Sequence, residues 1–458
     1  MFAYMRQKPG FYTQVAALAA PIVLQNLITS MLGMADTFMV GILGEAPMAA
    51  VTLANIPLFV VQLFIFGVQS GSSVLISQYW GRKDMEAINR VMGVALWVVL
   101  LVASVFAAIL ILCPIPFLSL FNNQPQLVEL AAQYGGLAGL SYVLNAFTMV
   151  YVAAYRSMEQ PRLGMYILAA SMTTNTFLNW VFIFGNLGAP QLGVRGAALA
   201  TLIARMLEVA IVVGHMARTK FFRIRPALLL RPGLSMSWRF IRYGGLVVCN
   251  ETLWGIGTSV FPTIMGHMDN STEILAAYTL AGNVEKLCTV FSFGLAATAS
   301  IIIGREIGAG RTGQVRRIGL AMDTLAVGCG LTLGCLLLCF ARFIAPDWVF
   351  PLFKLSPGAS AVAGMMLTVM SFYMPLRAFN SVNIIGVLRG GGDVRAATLI
   401  DTCPLWVCAI PYAVLCGLVL HTQVLWVYLA FMVEQVVKFG LGLWRLRSGR
   451  WIRDLTRA

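Results

Sequence analysis

Across 458 residues, 59 % are hydrophobic and only 11 % charged, with a net charge of +14. Soluble domains carry about 25 % charged residues, and no soluble fold of this length hides so much apolar surface in one core. The composition excludes a soluble enzyme or nucleic-acid binder, since the positive charges fall in short runs between apolar blocks, as in multi-pass membrane proteins.

A spanning helix needs about 20 mostly apolar residues. Blocks of that kind lie at 12–40, 50–78, 91–114, 132–155, 164–186 and 195–217, then at 240–265, 277–304, 318–341, 360–388, 396–418 and 423–445. The expectation is an all-α integral membrane protein of about twelve transmembrane helices, six per half. The halves are lobes at 1–216 and 240–445, joined by a cytoplasmic linker at 217–239 and followed by a basic cytoplasmic tail at 446–458. The linker is basic and broken by Pro226 and Pro232, and has room for a short helix lying on the membrane. The first block is long and polar-dotted and has no small-residue cleavage site, so it reads as a retained span.

The halves are copies. Ala50, Thr52, Leu53, Ala54, Phe64, Phe66, Gly67, Ser73 and Gly81 recur as Ala277, Thr279, Leu280, Ala281, Phe291, Phe293, Gly294, Ser300 and Gly308, each 227 residues on. One constant offset over nine identities is an internal repeat. Arg156 to Arg162 likewise keeps the spacing of Arg389 to Arg395. Six helices per half give both copies the same orientation, so the repeats are parallel.

The basic residues set the orientation. Of 32 Lys and Arg, 25 fall on the face shared by both termini, Arg82, Lys83, Arg156, Arg162, Arg389 and Arg395 among them. The opposite face holds Arg195, Arg342 and Lys354, while Arg205, Lys286, Arg377 and Lys438 lie inside predicted helices. Both termini are therefore expected in the cytoplasm.

Ionisable residues inside spanning helices are costly, and each is a functional hypothesis. Asp36 lies ~36 Å along the first helix, which Pro21 bends. It is either a functional carboxylate or a surface or capping one. Asn175 and Asn179 lie one turn apart on the fifth helix and share a face. Thr201 follows Gly196-Ala197-Ala198 on the sixth, where small residues permit close helix approach. By depth, these four meet in the outer half of the first lobe. One carboxylate ringed by amide and hydroxyl oxygens suits a proton or Na⁺; plain interhelical hydrogen bonding is the competing reading of the asparagines.

Glu251 sits mid-span on the seventh helix and is the second lobe's candidate for proton exchange. Glu208 with Arg205, and Glu434 with Lys438, have the spacing of pairs along one helix. Glu285 and Lys286 need inter-helix partners. Asp401 is expected one turn into the eleventh helix beside Arg395, and Arg377 has no partner in sequence. These secondary charges read first as neutralised pairs that orient helices. The nine cysteines and three histidines form no metal-ligand pattern, and no nucleotide-binding or catalytic motif occurs, so no enzyme, cofactor or metal is expected.

Pro21 with Ala35-Asp36-Thr37, the Asn175 to Asn179 turn before Phe182-Ile183-Phe184-Gly185, Gly193-Val194-Arg195-Gly196 to Thr201, Glu251, and Gly386-Val387-Leu388-Arg389-Gly390-Gly391-Gly392-Asp393 together resemble the multidrug and toxic compound extrusion (MATE) family. The resemblance covers essentially the whole chain. It implies two six-helix lobes around a V-shaped cavity, and export of cationic amphipathic molecules driven by H⁺ or Na⁺ re-entry, by a monomer in the bacterial inner membrane. It places the first-lobe cation site on Asp36, Asn175, Asn179 and Thr201. Asn179 stands where several relatives carry an aspartate. Glu251 matches the second-lobe acid, but its usual aspartate partner is replaced within Arg377-Ala378-Phe379-Asn380. Two alternatives stay open: a lipid-linked precursor flippase, and a major-facilitator-type transporter. Gly81-Arg82-Lys83 hints at the latter's loop motif, but the aspartate and second basic block of that motif are absent.

Overall fold

The protein, described here from a computed structural model over residues 3–353 and 355–457, is almost entirely helical. The helices of the first half are α1 (Phe11–Gly41), α2 (Glu45–Arg82), α3 (Met85–Leu112), α4 (Pro125–Ser157), α5 (Pro161–Phe184) and α6 (Val194–Arg218). Those of the second half are α7 (Leu234–Gly266), α8 (Ser271–Gly308), α9 (Thr312–Leu352), α10 (Pro357–Arg389), α11 (Val394–Val419) and α12 (Val424–Ser448). Among the described residues, eleven helices are long and apolar enough to cross a membrane. The twelfth, α7, is 33 residues long but interrupts its apolar run with Asn250, Glu251 and Thr252. Lys354, assigned above to the outer face, lies outside the described residues.

The helices overrun the apolar windows. α2 extends five residues before and four after 50–78, because a helix does not stop where the hydrocarbon does; its polar ends continue into water. Ends are set by local chemistry instead. Pro125, Pro161 and Pro357 open their helices at the position where a missing N–H costs nothing. The Asp84 carboxylate accepts from the Ala87 N–H at 2.9 Å and caps α3. α9, α10 and α11 each contain π-helical turns, at Phe340–Val349, Val382–Arg389, Pro404–Ala409 and Leu415–Val419. Pro346 and Pro404 sit in two of these stretches, where a proline deletes one ladder donor and the helix widens.

The chain forms two compact units, Leu24–Val248, and Met1–Val23 with Cys249–Ala458. The divisions thus fall inside α1 and α7. The repeat explains the symmetry of this arrangement. α2 and α8 both have 38 residues. A Cβ at Gly67 on α2 would stand 2.8 Å from the Val248 Cα, and a Cβ at Gly294 on α8 would stand 2.4 Å from a Val23 methyl. The same small residue in each copy lets the first part of α7 or α1 seat against it.

Within the first unit, Ala50, Leu53, Ala54 and Leu58 of α2 pack with Leu110, Val128, Ala131 and Ala138. Within the second, Val15 and Leu18 of α1 join Ala296, Ile303, Met322 and Val387. The outward faces are apolar as well: Leu101, Leu112, Phe343 and Trp348 are exposed, as lipid-facing side chains are. The segment between α6 and α7 is not free chain. Pro226–Leu230 forms one short helical turn. Asn89 of α3 donates to the Arg223 carbonyl at 3.3 Å and accepts from the Arg225 N–H at 3.0 Å, and Arg225 pairs with Glu86.

Candidate functional site

The first unit brings Asp36, Asn179, Asn175 and Thr201 into one hydrogen-bonded row. Asp36 lies five residues before the end of α1, Asn179 five before the end of α5, and Thr201 seven after the start of α6. At ~1.5 Å per residue all three stand within about 11 Å of their helix ends. Asn179 Nδ2 donates to Asp36 Oδ1 at 2.6 Å and to Asn175 Oδ1 at 3.2 Å. Asn175 Nδ2 donates to Thr201 Oγ1 at 3.2 Å, and that hydroxyl donates to the Ala197 carbonyl at 3.0 Å. The one-turn spacing of the asparagines makes the row continuous, since both amides leave the same face of α5.

Asp36 and Thr201 open onto a cavity of about 250 Å³, lined also by Asn55, Gln62, Tyr134, Tyr142, Asn145 and Arg205. The Arg205 charge is committed. Its Nη1 donates at 2.5 Å to Glu208, which is fully buried. Among the described residues, Glu208 therefore neutralises the one cationic side chain that lines this cavity, and Asp36 keeps its carboxylate for other ligands. The Asn179 Oδ1 has no donor partner. A carboxylate, an unsatisfied amide oxygen, a second amide oxygen and a hydroxyl offer a hard cation an oxygen-rich, singly charged seat, a donor set that fits a monovalent ion. Asn55, Gln62 and Asn145 belong to this site and escaped the sequence reading, though amides inside apolar windows are its available signal.

The second unit holds a buried charge network. Arg389 is fully buried; it donates to Glu251 Oε1 at 2.6 Å and to Asp401 Oδ2 at 3.3 Å. Lys438 then joins Asp401 at 2.7 Å to Glu434 at 2.7 Å. Asn250 donates to Asp401 Oδ2 at 2.8 Å and accepts from Thr402 at 2.7 Å. Two expectations are corrected here. Asp401 pairs with Arg389 and Lys438 rather than with Arg395. Arg389 is no loop residue on the basic face, because π turns carry α10 through Gly386 to Arg389 and turn the guanidinium inward. Glu251 is consequently an ion-paired acid in this conformation.

The Glu434–Lys438 and Glu208–Arg205 pairs form along their own helices, as their spacing suggests. Glu285 and Arg377 turn out to be each other's partners across α8 and α10 at 3.0 Å, with the Tyr373 hydroxyl donating to Glu285 at 3.3 Å. Asp323 on α9 was not singled out by sequence, although an acid inside an apolar window is the same signal that marks Asp36. It is 3 % exposed and accepts from Asn383 at 2.8 Å.

Comparison with known proteins agrees with this architecture. A protein of Thermotoga maritima described as "Probable multidrug resistance protein NorM" is 23 % identical over 444 residues, 97 % of this chain and 94 % of its own. A protein of Bradyrhizobium diazoefficiens with the same description is 28 % identical over 448 residues, 95 % of this chain and 93 % of its own. Among solved structures, an outward-facing multidrug resistance MATE transporter of the MOP superfamily matches with a TM-score of 0.84 at 19 % identity, covering 98 % of each chain. A MOP superfamily transporter from Pyrococcus furiosus, described as having a binding pocket of reverse polarity, matches at 0.81 and 19 %, also over 98 % of each. At those identities the structural likeness is one of fold. The sequence model of the MatE family matches residues 21–181 and 245–415, well over half of the chain. With that match laid on the helices and the duplicated units described above, the chain belongs to the MatE family of multi-pass membrane transporters.

Proposed function

We propose that this chain is a cation-coupled antiporter that exports cationic amphipathic small molecules, and that Asp36 is the group for which drug and coupling ion compete. The observation that carries this reading is the Asp36 carboxylate facing a cavity whose lining arginine, Arg205, is tied to Glu208. The descriptions of the bacterial relatives as multidrug resistance proteins support the substrate class.

One negative charge in a low-dielectric cavity attracts a cationic drug or a small cation, and does not hold both cheaply. If the two occupants favour different conformations, their fluxes are linked by that difference in affinity, typically worth 1–3 kcal/mol. A proton would sit on Asp36 itself. Na⁺ would be held by Asp36, Asn175, Asn179 and Thr201, whose unsatisfied Asn179 oxygen favours a ligand there. Glu251 is the second unit's coupling acid. Arg389 also reaches Asp401, so a protonated Glu251 leaves the guanidinium with a partner. Glu208, Glu285, Arg377, Asp401 and Glu434 serve as pairing groups that orient helices. The distribution of Lys and Arg favours cytoplasmic termini, and the bacterial relatives favour the bacterial inner membrane as the site.

The test is efflux of a fluorescent cationic dye from proteoliposomes under an imposed pH gradient, then under an imposed Na⁺ gradient. Efflux under one gradient identifies the ion and supports antiport. Efflux under neither refutes the drug-export reading and shifts weight to a lipid-linked precursor.

A further inference from the structure

Among the described residues, the other buried acids, Glu208, Glu251, Glu306, Asp393 and Glu434, each have an ion pair, whereas Asp323 has none, and its surroundings assign it a role. It stands eleven residues into α9, about 16 Å from that helix's start. Its Oδ2 accepts from Asn383 Nδ2 at 2.8 Å, while its own Oδ1 and the Asn383 Oδ1 have no donor. Five cationic side chains on the surrounding elements are engaged elsewhere. Arg317 donates to the Arg6 carbonyl, Arg377 pairs with Glu285, Arg389 with Glu251 and Asp401, Lys438 with Asp401 and Glu434, and Arg445 with Asp393. The adjacent titratable group, the Tyr4 phenol, is bonded to Thr324 at 3.2 Å.

An ionised carboxylate left in such a place forfeits most of its hydration. One hydrogen bond from a neutral amide returns only part of that loss. Protonation removes the charge and also repairs the hydrogen-bond count. As a carboxylate and an amide, the pair has two acceptor oxygens without donors; as an acid and an amide, it gains the O–H those oxygens lack. The site is built to be tight. A Cβ at Gly442 on α12 would stand 2.8 Å from the Asn383 oxygen, so a larger residue there would push the amide aside. Asn383 belongs to the π-helical stretch Val382–Arg389, and π turns often mark functional positions.

From this geometry we propose that Asp323 and Asn383 form an exchangeable proton site in the second unit, separate from Glu251. The π-helical stretch links the two. Asn383 at its start reads the state of Asp323, and Arg389 at its end holds Glu251 and Asp401. Loss of the Asp323 proton puts a new charge beside Asn383 and biases that stretch, and with it the Arg389 pairs. The transport arm of the test below rests on the ion-coupled reading; the spectroscopic arm does not.

The experiment is infrared spectroscopy of the full-length protein in lipid, with carboxyl-¹³C aspartate, on the wild type, Asp323→Asn, and the exchange variant Asp323→Asn with Asn383→Asp. The wild type is expected to show a neutral carboxylic C=O band at neutral pH that shifts in D₂O. Asp323→Asn should lose it, and the exchange variant, which rebuilds the acid–amide pair with the acid on α10, should regain it even if the single variant folds poorly. Dye transport driven by a pH gradient should be lost in Asp323→Asn and recovered in the exchange variant. Absence of the band in the wild type, a band that does not exchange with D₂O, or full pH-driven transport in Asp323→Asn each overturns the proposal. Failure of the wild type to transport dye under any gradient would refute the antiport reading and leave proton occupancy to be decided by the band.

Discussion

Replacing Arg389 by glutamine is the most severe single perturbation that the charge network of the second unit predicts. Five ionisable side chains, Glu251, Arg389, Asp401, Lys438 and Glu434, share one buried chain of contacts, three acids to two bases. Without Arg389, Glu251 has no cationic partner among the described residues, and Asp401 and Glu434 divide Lys438 between them. Removing one member of a buried pair costs about 3–5 kcal/mol, because the other charge stays desolvated. Arg389→Gln should lose that much stability, read as unfolding free energy in mixed detergent micelles. Neutralising both partners should cost far less, so Glu251→Gln combined with Arg389→Gln should recover about 2 kcal/mol or more relative to the sum of the single changes. Lysine should not substitute well, since it cannot reach two carboxylates with one planar fork. A cost for Arg389→Gln of under about 1 kcal/mol, the range of a solvent-screened pair, would refute the buried network.

Three further outcomes follow from packing and hydrogen bonding. Gly71→Ala places a Cβ 2.6 Å from the Gly244 Cα, a backbone atom that cannot rotate away; it should cost about 1–3 kcal/mol in the same unfolding assay, and a neutral result would contradict the close approach of α2 and α7. Asn89→Ala removes the two hydrogen bonds from Asn89 to the backbone of residues 223–225 and leaves only the exposed Arg225–Glu86 pair of the contacts described above. Trypsin should then cut faster between Arg218 and Arg225, and an unchanged rate in limited proteolysis would show that the segment is held by something else. Arg205→Met should leave Glu208 buried without its counter-charge, costing about 3–5 kcal/mol, whereas Arg205→Met with Glu208→Leu should be near neutral; equal losses in both would argue against the pair.

Much of this arrangement is written plainly in the chain. The 227-residue offset identifies the duplication because equivalent contacts need equivalent small residues, as Gly67 and Gly294 show. Asn175 and Asn179 announce a shared face by their spacing, and their depth, like that of Asp36 and Thr201, follows from counting along apolar windows. Arg389 was misread for a physical reason. It follows an apolar run and precedes Gly390-Gly391-Gly392, which looks like a helix end, and no periodicity rule foresees π turns that keep it inside. The partners of Asp401, Glu285 and Arg377 are all on other helices, and inter-helix pairing has no signature in local spacing. Asp323 was legible by the rule applied to Asp36, but its lone neutral partner, 60 residues away, was not.

The measurement that bears most directly on the central claim is dye transport by Asp36→Asn in proteoliposomes, beside the wild type and under the gradient that drives it. Asparagine keeps an oxygen to accept the Asn179 N–H that Asp36 accepts at 2.6 Å, so the helices should assemble and the protein should elute and unfold as the wild type does. What it removes is the charge for which, in the proposed mechanism, drug and cation compete. The account predicts that Asp36→Asn no longer moves dye against its gradient at any imposed ΔpH or ΔNa⁺. Gradient-driven transport at the wild-type rate by a well-folded Asp36→Asn would contradict it.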